Sequence, residues 1–594
     1  MSDRGKAFDL SFLRRLYQRG KPYRSAFFWT LFLVITLAMM VTIRPELTKV
    51  LLDEALPASD SSRILLISVS YAIVLLIEVL LQYIQTQIAN RMAQSITLDL
   101  RAELYRSVVR FKLSYFDKTP VGQFVTRMIG DIDGIAEIFS VGILDIVRDV
   151  LKITVIVGAM CLLDWQMTIM VLLPIPLLLY GTRLFQLAVK KSFNDVRNEV
   201  ARISVFIQEH VTGMAIVQYF HREANEQQKF DSINKEHRDA HIRGIWAYSV
   251  FFPFVELLSA ASIALMLWWG VRGALDYEMK PGILLAFSTY IMMIYRPIRQ
   301  MADNFNVLQM GMVNAERVFK VLDTPEVQVD HGQHLAQGLK GDIRLEHVYF
   351  KYQIDHAQWI LEDLNLHIVS GETVAIVGAT GAGKSSIAGL LNRFYDYQEG
   401  QIFIDEVPIQ EYHLSSLRAH ISIVLQDVFL FSDTIYNNIT LCDATIDRAH
   451  VIDAAKAIGA HDFIMRLPNG YDFEVHERGG MLSVGQRQLI SFVRAYVHQP
   501  ALLILDEATA HIDSESEKML QFATAKITEG RTSIVIAHRL ATIRRAHRII
   551  VLDKGKVIEI GTHLDLLERK GYYHRLYEKQ FAETDSSESM ENDS

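Results

Sequence analysis

The stretch "GATGAGKSS", residues 378–386, predicts more about this chain than any other part of its sequence. It fits the pattern G-x-x-x-x-G-K-[ST] through Gly378, Gly383, Lys384 and Ser385, between the strand-like "TVAIV" and the helical "SIAGLLNRFY". In that context backbone N–H groups wrap the phosphates of a nucleotide, the lysine supplies a charge, and the serine hydroxyl faces Mg²⁺. The sequence therefore predicts an ATP-binding loop, whose other members are Ala379, Thr380, Gly381, Ala382 and Ser386.

Five polar or aromatic residues outside this loop are expected to meet the same nucleotide. The apolar run "ALLILDEAT" leads into Asp506, placed to hold Mg²⁺, and Glu507, a general base for the attacking water. His538 ends "SIVIAH" and is expected at the γ-phosphate, while Gln426 follows "ISIVL" as a metal or water sensor. Tyr352 is a platform for stacking adenine. The alternatives are two solvated acids in a turn and a structural histidine at a strand end.

Length and composition exclude several classes of protein. A chain of 594 residues is too long for one core. Hydrophobic residues make up 50% of it and charged residues only 22%, which indicates that part of it lies in lipid. The net charge of −8 argues against a nucleic-acid partner, which would require a basic stripe. Two cysteines exclude a disulfide framework and a cysteine-rich metal site.

Six long apolar stretches precede the phosphate loop, and each can cross the ~30 Å hydrocarbon core as a helix. They lie at 26–52, 63–88, 137–163, 166–187, 247–271 and 282–304. The long connections 89–136 and 188–246 carry an excess of arginine and lysine, which puts them and the N-terminus in the cytoplasm. Residues 1–25 resemble an amphipathic helix on a membrane surface rather than a cleaved signal.

The tips of the two long connections carry aromatic side chains. "LSYFDKTPVG", 113–122, holds Tyr115 and Phe116, and "TGMAIVQYFHRE", 212–223, holds Tyr219 and Phe220. Aromatic residues at positions that would otherwise face solvent indicate docking surfaces for a cytoplasmic element. The alternative is ordinary packing within each helical hairpin.

Ionisable residues within the apolar stretches are costly in lipid and are candidates for a substrate path. They are Arg44, Glu46, Glu78, Asp145, Asp149 and Glu256. The alternative is that they pair between helices or lie near the membrane interface. Aromatic residues in the fifth and sixth stretches suit an amphipathic cargo and equally suit a lipid-facing surface.

A second phosphate-facing turn follows about a hundred residues after the first, at "LSVGQRQL". Together with "LLILDEAT" it resembles the signature motif of the ATP-binding cassette (ABC) family, specifically an exporter half-transporter, over nearly the whole chain. In that family two cassettes bind head to tail, and the signature loop of one closes on the γ-phosphate held by the other. The resemblance implies that the turn contacts the partner's ATP through Leu482, Ser483, Val484, Gly485 and Gln486.

The resemblance assigns further roles. It makes Tyr352 the adenine-stacking aromatic, Gln426 the residue of the loop that couples to the membrane half, and His538 the switch histidine. Glu477 resembles an acidic position that contacts the cytoplasmic tips, which become coupling helices. Asp513 is retained in the loop after Glu507. His511 departs from the usual small residue there, so altered contacts across the dimer are expected without loss of activity.

The expected fold is a six-helix all-α transmembrane domain followed by an α/β P-loop nucleotide-binding domain. A linker at 324–341 separates residues 26–323 from residues 342–583, and an acidic tail occupies 584–594. The resemblance implies ATP and Mg²⁺ as cofactors, a homodimer or heterodimer in the inner membrane, and export of amphipathic drugs or lipids. A dedicated lipid A-type flippase is the nearest alternative. A peptide exporter and a non-transport ABC ATPase are less favoured.

Overall fold

The computed structural model describes Arg15 and residues 18–277, 280–353, 358–507, 514–537 and 539–580. His511, Asp513, His538, the tail 584–594 and most of the N-terminal segment ahead of residue 18 lie outside these residues, as does the side chain of Glu507. The chain forms two compact units. The first comprises Met1–Val109 and Val121–Pro325, and the second comprises Arg110–Pro120 and Glu326–Ser594.

The first unit is helical throughout its described residues. Its helices are α1 (Arg24–Met40), α2 (Ile43–Val50), α3 (Ser61–Val108), α5 (Val121–Thr126), α6 (Ile132–Glu137), α7 (Ile143–Leu163), α8 (Trp165–Leu172), α9 (Ile175–Thr212), α10 (Met214–Tyr219), α11 (Glu223–Tyr277) and α12 (Pro281–Leu322). Helix α4 (Leu113–Lys118) belongs to the second unit. Short π-helical turns at Leu51–Ala55, Arg127–Asp131 and Ile138–Gly142 extend or join α2, α5, α6 and α7.

Five helices among the described residues are long and apolar enough to cross a membrane. They are Gln18–Ala55, Ser61–Val108, Trp165–Thr212, Glu223–Arg272 and Pro281–Ile298. The predicted third span, 137–163, is helical as α7 but is too highly charged to join them, because it carries Asp145, Arg148, Asp149 and Lys152. By composition, then, five of the six predicted spans are found.

Several of the ionisable residues in these helices pair with other side chains. Arg44 Nε lies 3.0 Å from Glu78 Oε2, which joins α2 to α3. Asn304 Nδ2 donates to the buried Asp149 Oδ2 over 3.5 Å, which joins α12 to α7. Arg44, Glu78 and Asp149 therefore each pair with a side chain of another helix, which is the predicted alternative to a place in a substrate path.

The second unit contains two β-sheets. Its strands are β1 (Ile343–Phe350), β2 (Leu361–Ile368), β3 (Thr373–Gly378), β4 (Glu399–Ile404), β5 (Val407–Pro408), β6 (Ile421–Val424), β7 (Leu502–Glu507), β8 (Thr532–Ala537), β9 (Arg548–Asp553) and β10 (Lys556–Gly561). One sheet has the order β2-β1-β4-β5 and is antiparallel. The other has the order β10-β9-β3-β8-β7-β6, with only β10 antiparallel. The apolar runs that predicted a buried parallel sheet form β3, β6, β7 and β8.

Helices cover the sheets of the second unit. They are α13 (Lys384–Leu391), α14 (Leu414–Ala419), α15 (Ile435–Thr440), α16 (Arg448–Ile458), α17 (His461–Arg466), α18 (Val484–Val497), α19 (Ser514–Thr528), α20 (Leu540–Arg545), α21 (His563–Glu568) and α22 (Tyr572–Gln580). Buried aliphatic residues of α13 and α18 pack against the parallel strands in two apolar clusters. This packing fixes the start of each helix relative to the carboxyl ends of the strands.

Candidate functional site

The loop between β3 and α13 turns tightly because glycine occupies its two left-handed positions. Gly381 has φ +83° and Gly383 has φ +97°, a region that side chains rarely adopt. A Cβ on Gly383 would lie 2.7 Å from Leu361 Cδ2 and 3.0 Å from the Ile360 carbonyl oxygen. The chain therefore enters α13 directly at Lys384, and the first N–H groups of that helix are available to an anion.

Lys384 folds back over the loop that precedes it. Its ammonium group donates to the carbonyl oxygens of Gly378 over 2.8 Å and Ala379 over 3.0 Å. The residue is only 7% exposed, and this burial lowers the pKa of Lys384 below its ordinary value, against the opposing attraction of Asp506. Both hydrogen-bond partners are neutral carbonyl groups, so the positive charge of the ammonium group is available to a phosphate.

Ser385 meets the carboxylate predicted to hold Mg²⁺. Its hydroxyl donates to Asp506 Oδ2 over 3.0 Å, which joins the start of α13 to the end of β7. A serine hydroxyl and a carboxylate are the hard oxygen ligands that suit Mg²⁺. Among the described residues no group of three or more His, Cys, Asp or Glu side chains could hold a metal ion. The donor set thus fits an ion that completes its shell with phosphate and water oxygens.

The parallel strands bring the remaining predicted residues to one edge of the sheet. Glu507 pairs with Ala537, the last residue of β8, so the strand that leads to His538 ends beside β7. Val424, the last residue of β6, pairs with Leu505, and the exposed Gln426 follows two positions later. The backbones at Gln426 and Glu507 therefore reach the same edge as the phosphate loop, as the motif spacing predicts.

Tyr352 lies against the phosphate-loop helix. Its hydroxyl is 2.9 Å from the Ser386 hydroxyl, and its ring packs edge-to-face on Phe350 at 4.9 Å and on Tyr395 at 5.0 Å. Tyr352 is 44% exposed, so part of its ring surface is accessible. This position, next to the loop rather than in it, suits an aromatic that contacts a base.

The signature turn orders itself through a capping box at the start of α18. The Ser483 side chain accepts from the Gln486 N–H over 3.2 Å, and Gln486 Oε1 accepts from the Ser483 N–H over 3.0 Å. Leu482 and Gly485 are buried, whereas Val484 is 46% exposed. The turn therefore anchors itself on two residues and presents Ser483 and Val484 outward.

Sequence reasoning overlooked Arg487, the residue that follows this turn. Its guanidinium donates to the Leu482 carbonyl oxygen over 2.7 Å and holds the turn from behind. The only signal in the sequence was a charge directly after a small-residue loop, which is equally typical of a solvated helix start.

The loop before the signature has a strained backbone. His476 has φ +52° and ψ −168°, a combination that is essentially restricted to glycine. Glu477, the predicted coupling acid, follows it in an exposed 3₁₀ turn, and Arg478 again has a positive φ of 53°. Strain of this kind persists only where the surrounding structure imposes it.

The two predicted coupling tips differ in their surroundings. The first, 113–122, lies up to Pro120 within the second unit, as part of segment 110–120, in which Lys112 Nζ is 2.7 Å from Asp396 Oδ2. Its Tyr115 is half-buried and packs on Phe111 at 4.8 Å, and its Phe116 is 37% exposed.

The second tip, 212–223, lies in the first unit and contains α10. Its Tyr219 is 82% exposed and its Phe220 is 72% exposed. Below the tip, His210 Nε2 lies 2.8 Å from Glu226 Oε2 and joins α9 to α11. The two predicted aromatic residues of this tip thus lie at the surface of a helical hairpin whose two helices are linked by His210 and Glu226.

Both halves of the chain match models of known protein families. Residues 26–298 match the family model of the ABC transporter transmembrane region, and residues 361–510 match that of the ABC transporter. The uncharacterized ABC transporter ATP-binding protein YknV of Bacillus subtilis is 34% identical over 97% of this chain and 96% of its own length.

An ATP-dependent lipid A-core flippase of Syntrophus aciditrophicus is 32% identical over 98% of this chain and 96% of its own length. The structure of a bacterial Atm1-family ABC exporter with ATP bound has a TM-score of 0.76 and 28% identity, covering 96% of this chain and 99% of that one. The chain therefore belongs to the ABC transporter family, and it is a membrane protein with a helical transmembrane domain and an ATP-hydrolysing domain that drives export.

Proposed function

We propose that this chain is one half of a dimeric exporter that moves amphipathic compounds, drug-like or lipid, across the inner membrane. The observation that carries the proposal is the contact of Ser385 with Asp506 beside the buried Lys384 ammonium. These groups belong to the start of α13, directly after the loop that follows β3, and to the end of β7, and their proximity supports binding of a nucleoside triphosphate.

The chemistry at this site divides among the chain's own residues. Backbone N–H groups at Gly381, Gly383 and the start of α13, with Lys384, bind and orient the β- and γ-phosphates. Ser385, Asp506 and Gln426 would hold Mg²⁺, which neutralises charge on the phosphates when bound. Glu507 would accept a proton from the attacking water, and His538 would contact the γ-phosphate.

A second subunit completes the site. The exposed Ser483 and Val484 face away from the domain that anchors them, which supports contact with ATP held by another cassette. The exposed Tyr219 and Phe220 support docking of the second tip on a partner, together with Glu477, while Tyr115 and Phe116 serve the first tip. Asp513 would line the dimer contact. Both a homodimer and a heterodimer satisfy these requirements.

The membrane domain is proposed to contain six spanning helices, within 26–323. Helix α7 completes the five apolar helices, because its charges lie beside polar partners such as Arg148 with Asp145, at 3.0 Å. The linker 324–341, the cassette 342–583, the tail 584–594 and the segment 1–25 are assigned to the cytoplasm, in line with the basic long connections.

The similarity to a lipid A-core flippase makes lipid the second substrate class to be tested, beside drug-like compounds. The purified dimer in proteoliposomes is assayed for ATP hydrolysis with a cationic dye and, separately, with hexa-acylated lipid A. Stimulation of ATP hydrolysis by the dye, together with movement of the dye into the vesicles, supports a drug exporter. Stimulation of ATP hydrolysis by lipid A alone supports the flippase. Absence of both responses in an ATP-hydrolysing dimer would overturn the amphipathic substrate class.

Glu507→Gln tests the hydrolytic site itself. The variant is expected to bind ATP and to form a stable dimer of cassettes, while turnover falls by about 10²–10⁴-fold because the proton acceptor is lost. Glu529→Gln, a change to an exposed acid paired with Lys526, is the matched control and keeps normal turnover. Normal hydrolysis by Glu507→Gln would remove that residue from its assigned role.

A further inference from the structure

Tyr395 contacts three parts of the second unit that are distant from one another in the sequence. Its hydroxyl donates to Asp117 Oδ2 over 2.7 Å, on the first tip. Its ring meets the ring of Tyr352 at 5.0 Å and 87°. It also covers Gly389 of the phosphate-loop helix, where a Cβ would lie 3.0 Å from Tyr395 Cδ2. Burial raises the pKa of Tyr395, so its hydroxyl keeps the proton that it donates.

The segment that carries Asp117 is tied to the chain at the start of the cassette. The Lys112 N–H donates to the Glu326 carbonyl oxygen over 2.9 Å, and the Gln328 N–H donates to the Arg110 carbonyl oxygen over 2.8 Å. The Gln328 amide in turn donates to the Arg393 carbonyl oxygen over 2.7 Å, two residues before Tyr395. Backbone bonds therefore hold the start of the segment, and the bond from Tyr395 holds it at Asp117, so the segment is coupled at both places to the residues around position 395.

The other end of this chain of contacts is the phosphate loop. Tyr352 reaches the Ser386 hydroxyl at 2.9 Å while its ring edge packs on Tyr395. A base that stacks on the accessible ring of Tyr352 fixes the ring's orientation, since aromatic pairs keep either an offset-stacked or an edge-to-face geometry. Any reorientation of Tyr352 changes the edge-to-face contact that holds Tyr395 against Asp117.

We propose that Tyr395 is a positioning residue that transmits occupancy of the base site on Tyr352 to the tip segment 110–120 through Asp117. This inference rests on the proposed nucleotide site, because without a base there is nothing to transmit. It adds a regulatory path: triphosphate alone engages the loop, and the base is what alters the tip. The path lies within one chain. It meets the phosphate loop where Tyr352 contacts Ser386.

The test measures amide hydrogen exchange of segment 110–120 in the full-length dimer in lipid nanodiscs. ATP with EDTA is compared with inorganic tripolyphosphate, which carries the phosphates without a base. In the unmodified protein, ATP is expected to change exchange in this segment by about fivefold, a factor typical of one hydrogen bond, and tripolyphosphate is expected to leave it unchanged. Both ligands are expected to protect the phosphate loop.

Tyr395→Phe removes only the hydroxyl and preserves the ring over Gly389, and Asp117→Ala removes only the exposed acceptor. Each is expected to abolish the ATP response at the tip while protection of the phosphate loop persists. The double variant should show no additional loss, because both changes break the same bond. Tyr397→Phe, a half-buried tyrosine two positions along, is the matched control and should respond like the unmodified protein.

Two results would overturn the relay. One is an equal response of the tip to tripolyphosphate and ATP, and the other is a retained response in Tyr395→Phe and Asp117→Ala. Failure of the proposed function has a different signature, because the phosphate loop of the unmodified protein would then gain no protection from either ligand. A thermal melt of each variant, expected within a few degrees of the unmodified protein, shows that the variants are folded.

Discussion

Ser385 Oγ and Asp506 Oδ2 lie 3.0 Å apart, although 121 positions separate the two residues in the sequence. The contact joins the first turn of α13 to the carboxyl end of β7. Parallel strands place their carboxyl ends at one edge of a sheet, so both groups face the space above the phosphate loop. A hydroxyl and a carboxylate at this separation are oxygen ligands of the kind that the proposed magnesium ion would use.

Substitution of either residue of this pair should lower the affinity of the ATP site for Mg²⁺. In Ser385→Ala and Asp506→Asn the Mg²⁺ concentration for half-maximal ATP hydrolysis is expected to rise at least about tenfold, because one oxygen ligand is lost or uncharged. Titration of ATPase activity with Mg²⁺ at fixed ATP measures this. Ser422→Ala, at a half-buried serine in β6, should give the unmodified titration curve. Unchanged magnesium dependence in both site variants would exclude the pair from the metal shell.

Nucleotide affinity should fall at alkaline pH through Lys384. Burial lowers the pKa of this lysine below 10.5, so it loses its positive charge at a lower pH than an exposed lysine. As pH rises through the folded-state pKa, the attraction between the ammonium and the phosphates is lost and ATP binding weakens. In the empty protein the same depressed pKa works the other way, because the unfolded chain binds the proton more tightly and stability rises with pH in that window.

Fluorescence titration with a labelled ATP between pH 7 and pH 10 tests this expectation. Lys384→Arg keeps a charge at every pH in that range, so its affinity, although weaker, should vary less with pH. Parallel pH profiles for the unmodified protein and Lys384→Arg would show that another group titrates.

Relief of backbone strain at His476 should stabilise the protein. Glycine adopts φ +52° and ψ −168° without a steric penalty, so His476→Gly is expected to add about 1 kcal/mol to the free energy of unfolding. The melting temperature of the cassette in the full chain should rise by about 2–4 °C, as read by scanning calorimetry. His331→Gly, at an exposed histidine before β1, should lower it slightly through the added freedom of the unfolded chain.

A lower melting temperature for His476→Gly would indicate that the imidazole makes a stabilising contact that outweighs the strain. Its position immediately before the signature turn makes the ATPase rate of this variant a useful second measurement.

The pair Arg44 and Glu78 should behave as a unit between α2 and α3. Each side chain is about one-fifth to one-quarter exposed, so removal of either partner leaves a poorly solvated charge. Arg44→Gln and Glu78→Gln are each expected to lower the melting temperature in detergent, whereas Arg44→Gln combined with Glu78→Gln should recover most of the loss. An additive double variant would show that the two side chains do not stabilise each other.

Local motifs carried most of what could be predicted. The phosphate loop, the carboxylates at the end of β7 and the signature turn are each formed by residues that are contiguous in sequence. Parallel pairing then brings strand ends together, which made the contact of Ser385 with Asp506 predictable in outline. The third membrane stretch is helical as predicted, but its four charges keep it out of the apolar helices by composition, so its membrane span stays a prediction.

By itself, then, the sequence of this protein determined the order of its two halves, the residues of its phosphate loop and the identity of the two acids that end β7. Tertiary structure alone decided that segment 110–120 belongs with the cassette and that Tyr395 binds Asp117, 278 positions away. It also decided that His476 is strained. The physical reason is that side-chain contacts between distant positions, and the backbone angles imposed on a loop, depend on the path of the whole chain.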